Sequence, residues 1–165
     1  MSTDVKESNS DPKLTAAEVV DFALERYRLG RSPEGLLFAI PRDHREPQIA
    51  RELRSLRPEL SRALWQERRV TVSREMLSTA IETLSGLADG ADVTPVKLRA
   101  SHITSGGGDV ILLDLGDPTG RFVDISANGW VVVDPAEEKD PGNVRAVFRR
   151  TAATGVLPVP EPGGT

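Results

Sequence analysis

The chain has 165 residues, a net charge of −4 and no cysteine, which suits one domain with tails and excludes disulfides, thiol nucleophiles and cysteine-ligated metals. Its two histidines, His44 and His102, supply too few ligands for a structural zinc. The polar N-terminus has no apolar signal-peptide core and no run approaches the ~20 apolar residues of a membrane span, so a cytoplasmic protein without a membrane partner is expected.

Residues 1–13 lack apolar periodicity and read as a disordered tail. A helix then begins at Thr15, which forms a capping box with Glu18, while Leu14 and Val19 occupy the positions of a hydrophobic staple. Val19, Val20, Ala23, Leu24 and Tyr27 form its buried stripe, and Gly30 reads as its stop. Removing the Thr15 side chain is expected to cost about 1 kcal/mol. Leu36-Leu37-Phe38-Ala39-Ile40 reads as a short strand ending at Pro41.

From Pro47 to Arg69 the sequence reads as helical. Ile49, Leu53, Leu56, Leu60 and Leu64 recur at helical spacing, and Pro58 favours a break near Ser55–Arg57 with a new helix starting there. A further helix is capped by Ser73, buries Met76, Leu77, Ala80, Ile81, Leu84 and Leu87, and ends at Gly90. The pattern then turns to β. Val96, Leu98 and Ala100 alternate with polar residues as one half-exposed strand, and a Ser105–Gly108 loop leads into a three-strand meander from Asp109 to Val133. In the meander Ile111, Leu113, Leu115, Val123, Ile125, Val131 and Val133 supply one apolar face, with Trp130 expected buried. Its turns are Gly116–Gly120 and Asn128-Gly129, the latter expected as type I′. A polar loop follows, then a last strand around Arg145–Arg149.

The expected fold is therefore α+β, with N-terminal helices packed on one face of a mainly antiparallel sheet of about five strands. A single domain would span 14–150, and 151–165 reads as a Pro/Gly-rich linker or tail.

Candidate chemistry is sparse. Asp114 and Asp124, on neighbouring strands, are the one pair of acids placed to hold Mg²⁺ for nucleotidyl transfer. The plainer reading puts both on the solvated face, opposite Leu113, Leu115, Val123 and Ile125. The Ser105–Gly108 run has no following Lys and no following helix, so it is not a P-loop. No nucleophile elbow accompanies either histidine, and both read as surface residues. No catalytic residue and no cofactor is assigned.

The arginines are better candidates. Between Arg42 and Arg74 nine arginines face five acids, in a chain whose remainder is strongly acidic. On an unbroken helix Arg51, Arg62 and Arg69 would share the face opposite the leucines, and Arg149-Arg150 adds a second basic pair. These five are candidate phosphate contacts for single-stranded or duplex DNA. The plainer alternative is a solvated helix face with Glu59–Arg62 as an ion pair.

The runs LLDLGDPTGRFVDISANGWVVV and VFRRTAATGVLPVPEPGG resemble a stretch of the ATP-binding proteins of phages, prophages and integrative elements of actinobacteria, themselves similar to primase–helicases of the viral replicative type. The matching residues are Asp114-Leu115-Gly116-Asp117, Gly120-Arg121, Gly129-Trp130, Phe148-Arg149-Arg150 and Leu157-Pro158-Val159-Pro160-Glu161. In that family the Pro-Gly linker leads into a P-loop ATPase that carries the helicase motor, and this sequence stops at Thr165 before any such motif. The resemblance implies a segment in front of the motor, truncated or separately encoded. It would act as an accessory domain that positions nucleic acid or docks a P-loop ATPase. An interaction module with no nucleic-acid role, and a metal-dependent nucleotidyl-transfer enzyme, are the alternatives.

Overall fold

The computed structural model describes residues 14–42, 49–105, 108–137 and 146–163. Helix α1 (Ala16–Arg26) starts as its sequence dictates. The Thr15 hydroxyl accepts from the Glu18 N–H, and the Glu18 carboxylate accepts from the Thr15 N–H at 2.7 Å, closing the capping box. That same backbone bond holds the Glu18 carboxyl below its ordinary pKa. Leu14 packs against the cluster that contains Val19.

The helix ends earlier than its apolar stripe suggests. Tyr27 is already extended and opens strand β1 (Tyr27–Arg31), which pairs antiparallel with β2 (Leu37–Pro41). Gly30 is therefore not a helix stop. It sits mid-strand opposite Phe38, whose ring occupies the space a Cβ would need, only 2.6 Å away.

The leucine ladder is divided among three elements. Ile49 belongs to β3 (Ile49–Glu52), Leu53 and Leu56 to a 3-10 turn (Leu53–Leu56), and Leu60 and Leu64 to α2 (Arg57–Arg68). All five are buried as their spacing implies, but only the last two by a helix. Pro58 lies in the first turn of α2, where its missing N–H is harmless, and α2 does start near the expected break, but the 3-10 turn runs into it through helical backbone at Leu56 and Arg57 rather than ending before it. The residues before the 3-10 turn are not helical because β3 has partners on both sides: β2 antiparallel, and β9 (Val147–Arg149) parallel from nearly a hundred residues away. No local period registers such partners.

Helix α3 (Arg74–Asp89) is capped by the Ser73 hydroxyl, which accepts from the Met76 N–H, and gives way at Gly90. It buries Leu77, Ala80, Ile81, Leu84 and Ala88, whereas Leu87, expected inside, is half exposed. The helices pack with Phe22, Ala39 and Leu53 into the largest core cluster.

The single strand expected over Val96–Ala100 is two. β4 (Val96–Lys97) joins β9 at the edge of a sheet ordered β1-β2-β3-β9-β4, while β5 (Ala100–Ser105) opens a second sheet. That second sheet is the meander β5-β6-β7-β8, with β6 (Gly108–Asp114), β7 (Phe122–Ser126) and β8 (Gly129–Val133) all antiparallel. The class is α+β with mostly antiparallel strands, distributed over two sheets. Ile49, Ala146 and Phe148 from the first sheet region meet Leu112 and Phe122 of the second in a shared cluster.

The pleat of the meander follows the expected one only in part: Leu115 and Val123 are buried and Val133 packs on the core as expected, but the rest of the expected face is not inside. Leu112, Asp114 and Phe122 point to that shared core, while Ile111, Ile125 and Trp130 line up across the far face, each 36% exposed or more. Trp130 is thus not a core residue. The β7–β8 turn is formed by Ala127 and Asn128, and only Gly129 takes positive φ (+117°), so the type I′ geometry expected for Asn128-Gly129 is absent. The Gly116–Gly120 turn forms, with positive φ at both glycines. The expected tail 1–13, the His44 loop, the centre of the Ser105–Gly108 loop and the start of the last strand at Arg145 lie outside the described residues. Among the described residues no helix is long and apolar enough to cross a membrane.

Candidate functional site

The five candidate arginines divide into three groups. Arg51 and Arg62 line one open cleft of about 740 Å³ between α1, β2 and α2, together with Arg26, Arg42, Glu25, Glu59 and Glu67. Arg69 lies beyond it, in left-handed conformation at the end of α2, with its guanidinium 5.7 Å from the Trp65 ring. Arg149 pairs with Glu52 at 3.3 Å, and Arg150 turns inward to the meander. Arg51 shares no helix face with Arg62 because it belongs to strand β3, while Arg62 is on α2.

Within the cleft, charge is largely paired. Glu59 accepts from Arg51 at 3.0 Å and from the Tyr27 hydroxyl at 2.6 Å, and the Glu59–Arg62 pair of the plainer alternative is not formed among the described residues. Burial, and then the bond to Glu59, push the Tyr27 phenol above its ordinary value. Arg26 pairs with Glu67 and stacks 3.7 Å from the Phe22 ring centroid. Arg42 donates to the carbonyls of Leu24 and Tyr27 and so caps the end of α1. Arg62 is exposed and has no hydrogen bond or ion pair among the described residues. Arg26 was not legible as part of this cleft, and Arg42 only as the first arginine of the basic segment, because a chain reversal through β1 and β2 brings both in.

The second constellation is closed. Asp114, buried to 1% exposure, receives two bonds from Arg150, at 2.7 and 3.0 Å, and one from the Gly116 N–H. Arg150 also reaches the Asp117 carbonyl. The Asp117 carboxylate accepts from the N–H groups of Thr119 and Arg121, the Thr119 hydroxyl and the Arg121 side chain. Burial pushes that carboxyl up, but the bonds from Arg121 and Thr119 outweigh it and hold it below its ordinary value. Arg99 then donates to the carbonyls of Asp114 and Gly155, and the Leu157 N–H donates to the Leu115 carbonyl at 2.8 Å. Gly116 permits this closeness: a Cβ there would lie 2.6 Å from the Gly155 oxygen, at a φ of +74°. The tail is thereby fastened to the corner of the meander.

Asp114 is accordingly not on a solvated face, and its oxygens are engaged by a guanidinium rather than open to a cation. Asp124 lies opposite Leu112, not opposite Asp114, so the two acids are offset along their strands. Among the described residues no group of three or more His, Asp or Glu is arranged to hold a metal. His102 lies on β5 with its ring exposed and 3.4 Å from Asp109. Comparison with protein-family models, with curated proteins and with solved structures finds no match to this chain.

Proposed function

We propose that the chain is a non-catalytic accessory domain of a mobile-element primase–helicase-like ATP-binding protein, and that it docks a P-loop ATPase rather than gripping nucleic acid. One observation carries this reading. Of the residues that bear the resemblance, Asp114, Gly116, Asp117, Arg121 and Arg150 converge on a closed joint that fastens the tail, with both carboxylates and both guanidinium groups engaged inside it. Shared residues spent on positioning a tail fit a mounting domain better than an enzyme. Docking is favoured over DNA because Arg150 is committed to the buried Asp114, while the far face of the meander offers Ile111, Ile125 and Trp130 to a partner.

The purified chain alone is expected to hydrolyse no ATP and to form a complex, measurable by calorimetry, with the ATPase encoded in the same element. Ile125→Asp should weaken that complex at least tenfold. ATP turnover that survives removal of contaminating ATPases would overturn the non-catalytic assignment. Salt-sensitive binding of single-stranded DNA without an ATPase complex would return the role to the cleft of Arg26, Arg42, Arg51 and Arg62. Absence of both would leave an independent interaction module.

A further inference from the structure

We infer that β8 is a pairing edge, through which two copies of this chain join antiparallel into one continuous eight-stranded sheet. Among the described residues four strands are sheet edges: β1, β4, β5 and β8. Folded proteins blunt such edges with charge, polarity or proline, because unpaired backbone groups template further strands. β1 carries Arg28 and Arg31, β4 carries Lys97, and β5 is Ala-Ser-His-Ile-Thr-Ser. β8 is Gly-Trp-Val-Val-Val, without a charge, a polar side chain or a proline.

The alternation of the ladder identifies the free groups. The Asp114 N–H points towards β5, donating to the Arg99 carbonyl, and the Leu115 N–H points the other way, to the Arg121 carbonyl. Carried through the registers of β6, β7 and β8, this turns Val131 and Val133 towards β7 and leaves the N–H and C=O of Trp130 and Val132 directed outwards. No backbone bond to either outward pair occurs among the described residues.

These groups are self-complementary. Antiparallel pairing centred on Val131 sets Trp130 of each copy opposite Val132 of the other, the geometry in which both residues exchange N–H···O bonds. An aromatic then faces a β-branched residue, a favourable cross-strand pair, and no like charges are opposed. On that face the exposed row of Ile111, Ile125 and Trp130 runs on into its counterpart. On the other face Val131, 56% exposed, meets Val131 of the second copy. A charged peptide has nothing on β8 to pair with, whereas a second β8 matches it at every position.

Sedimentation of the full chain tests this, over concentrations on the order of 10 μM to 1 mM, the range in which a small interface associates. A monomer–dimer equilibrium is expected. Val131→Lys and Val131→Glu should each be monomeric, since like charges then meet at the two-fold axis, and an equimolar mixture of the two should dimerise again. A merely damaged fold would not give that rescue. In the unmodified chain, the Trp130 and Val132 amides should exchange hydrogen more slowly as concentration rises, while the Val131 amide, already bonded within the hairpin, should not respond. A monomer throughout the range, or a dimer indifferent to both charges, overturns the proposal. Because Val131 lies on the opposite face from Ile125, failure here is distinguishable from failure of the ATPase docking tested by Ile125→Asp.

Discussion

The cleft beside α2 and the joint at the corner of the meander use the same materials, arginine guanidinium against carboxylate, to different ends. In the cleft Arg51 and Glu59 keep about a third of their side-chain surface in water, and Arg62 is left over. In the joint Asp114 keeps 1% and Arg150 18%, and nearly every oxygen has a donor. Burial decides the difference. Exposed pairs contribute about 0–1 kcal/mol, and their arginines can exchange Glu for another anion. A buried, bidentate pair cannot lose one member without stranding the other. The first region is therefore adaptable, and the second is a fastening.

Breaking the fastening should give the largest effect. Arg150→Met leaves Asp114 buried without its cation, and we expect a loss of about 3–5 kcal/mol in denaturant unfolding. Asp114→Leu combined with Arg150→Met should recover most of it, since an apolar pair replaces an ionic one. A single-mutant loss below about 1 kcal/mol would place the joint in the same class as the cleft.

That joint also marks where sequence reading reached its limit. The capped helices at Thr15 and Ser73 were legible because their signals lie within four residues of one another. The burial of Ile49, Leu53, Leu56, Leu60 and Leu64 was legible too, but not their shapes, since a spacing of three or four also fits a strand, a 3-10 turn and a helix in succession. In the meander Leu112 and Leu113 are adjacent, so β6 carries a leucine on each face and apolarity alone could not settle which face lies inward. The chooser is Arg150, 36 residues downstream of Asp114, which makes an inward carboxylate tolerable. Motif resemblance singled out these residues without indicating that they touch. The cleft was half legible: Arg51 and Arg62 were named, but the pairing of Glu59 with Tyr27 and Arg51 needed the β1–β2 reversal.

Acid and alkali should probe the two regions separately. Asp117 has a lowered pKa in the fold, so its contribution is present above the unfolded value of 3.8 and is lost as pH falls through the folded one. Asp117→Asn should thus be less stable at neutral pH but flatter below about pH 4. Tyr27 is shifted upwards, so its contribution is complete below the unfolded value of 10.0 and is lost as pH rises beyond it. Tyr27→Phe should cost about 1 kcal/mol at neutral pH, the lost hydrogen bond to Glu59, and show no such alkaline limb. Tyr27 is the only tyrosine, so phenolate absorbance reads its titration directly. Ionisation at the ordinary value would mean that the cleft is as wet at Tyr27 as it is at Arg62.

The smallest effect on stability is expected at Arg62, and it is the one that bears on the cleft as a binding surface. Its side chain makes no hydrogen bond or ion pair among the described residues, so Arg62→Gln should change unfolding free energy by no more than about 0.5 kcal/mol. Any phosphate that enters the cleft would instead meet Arg62 first, since Arg26 and Arg51 are already held by Glu67 and Glu59. Binding of single-stranded DNA by the unaltered chain should be weak and steeply salt-dependent. If it occurs, Arg62→Gln should lower it and reduce the salt slope by about 0.7, the share of one phosphate contact on a single strand. Arg150→Gln is the informative contrast. Its guanidinium is spent inside the fold, so it should lower stability and leave the salt slope of the folded fraction unchanged. Equal slopes for the unaltered chain and Arg62→Gln would remove the cleft from consideration as a nucleic-acid surface and leave protein docking alone.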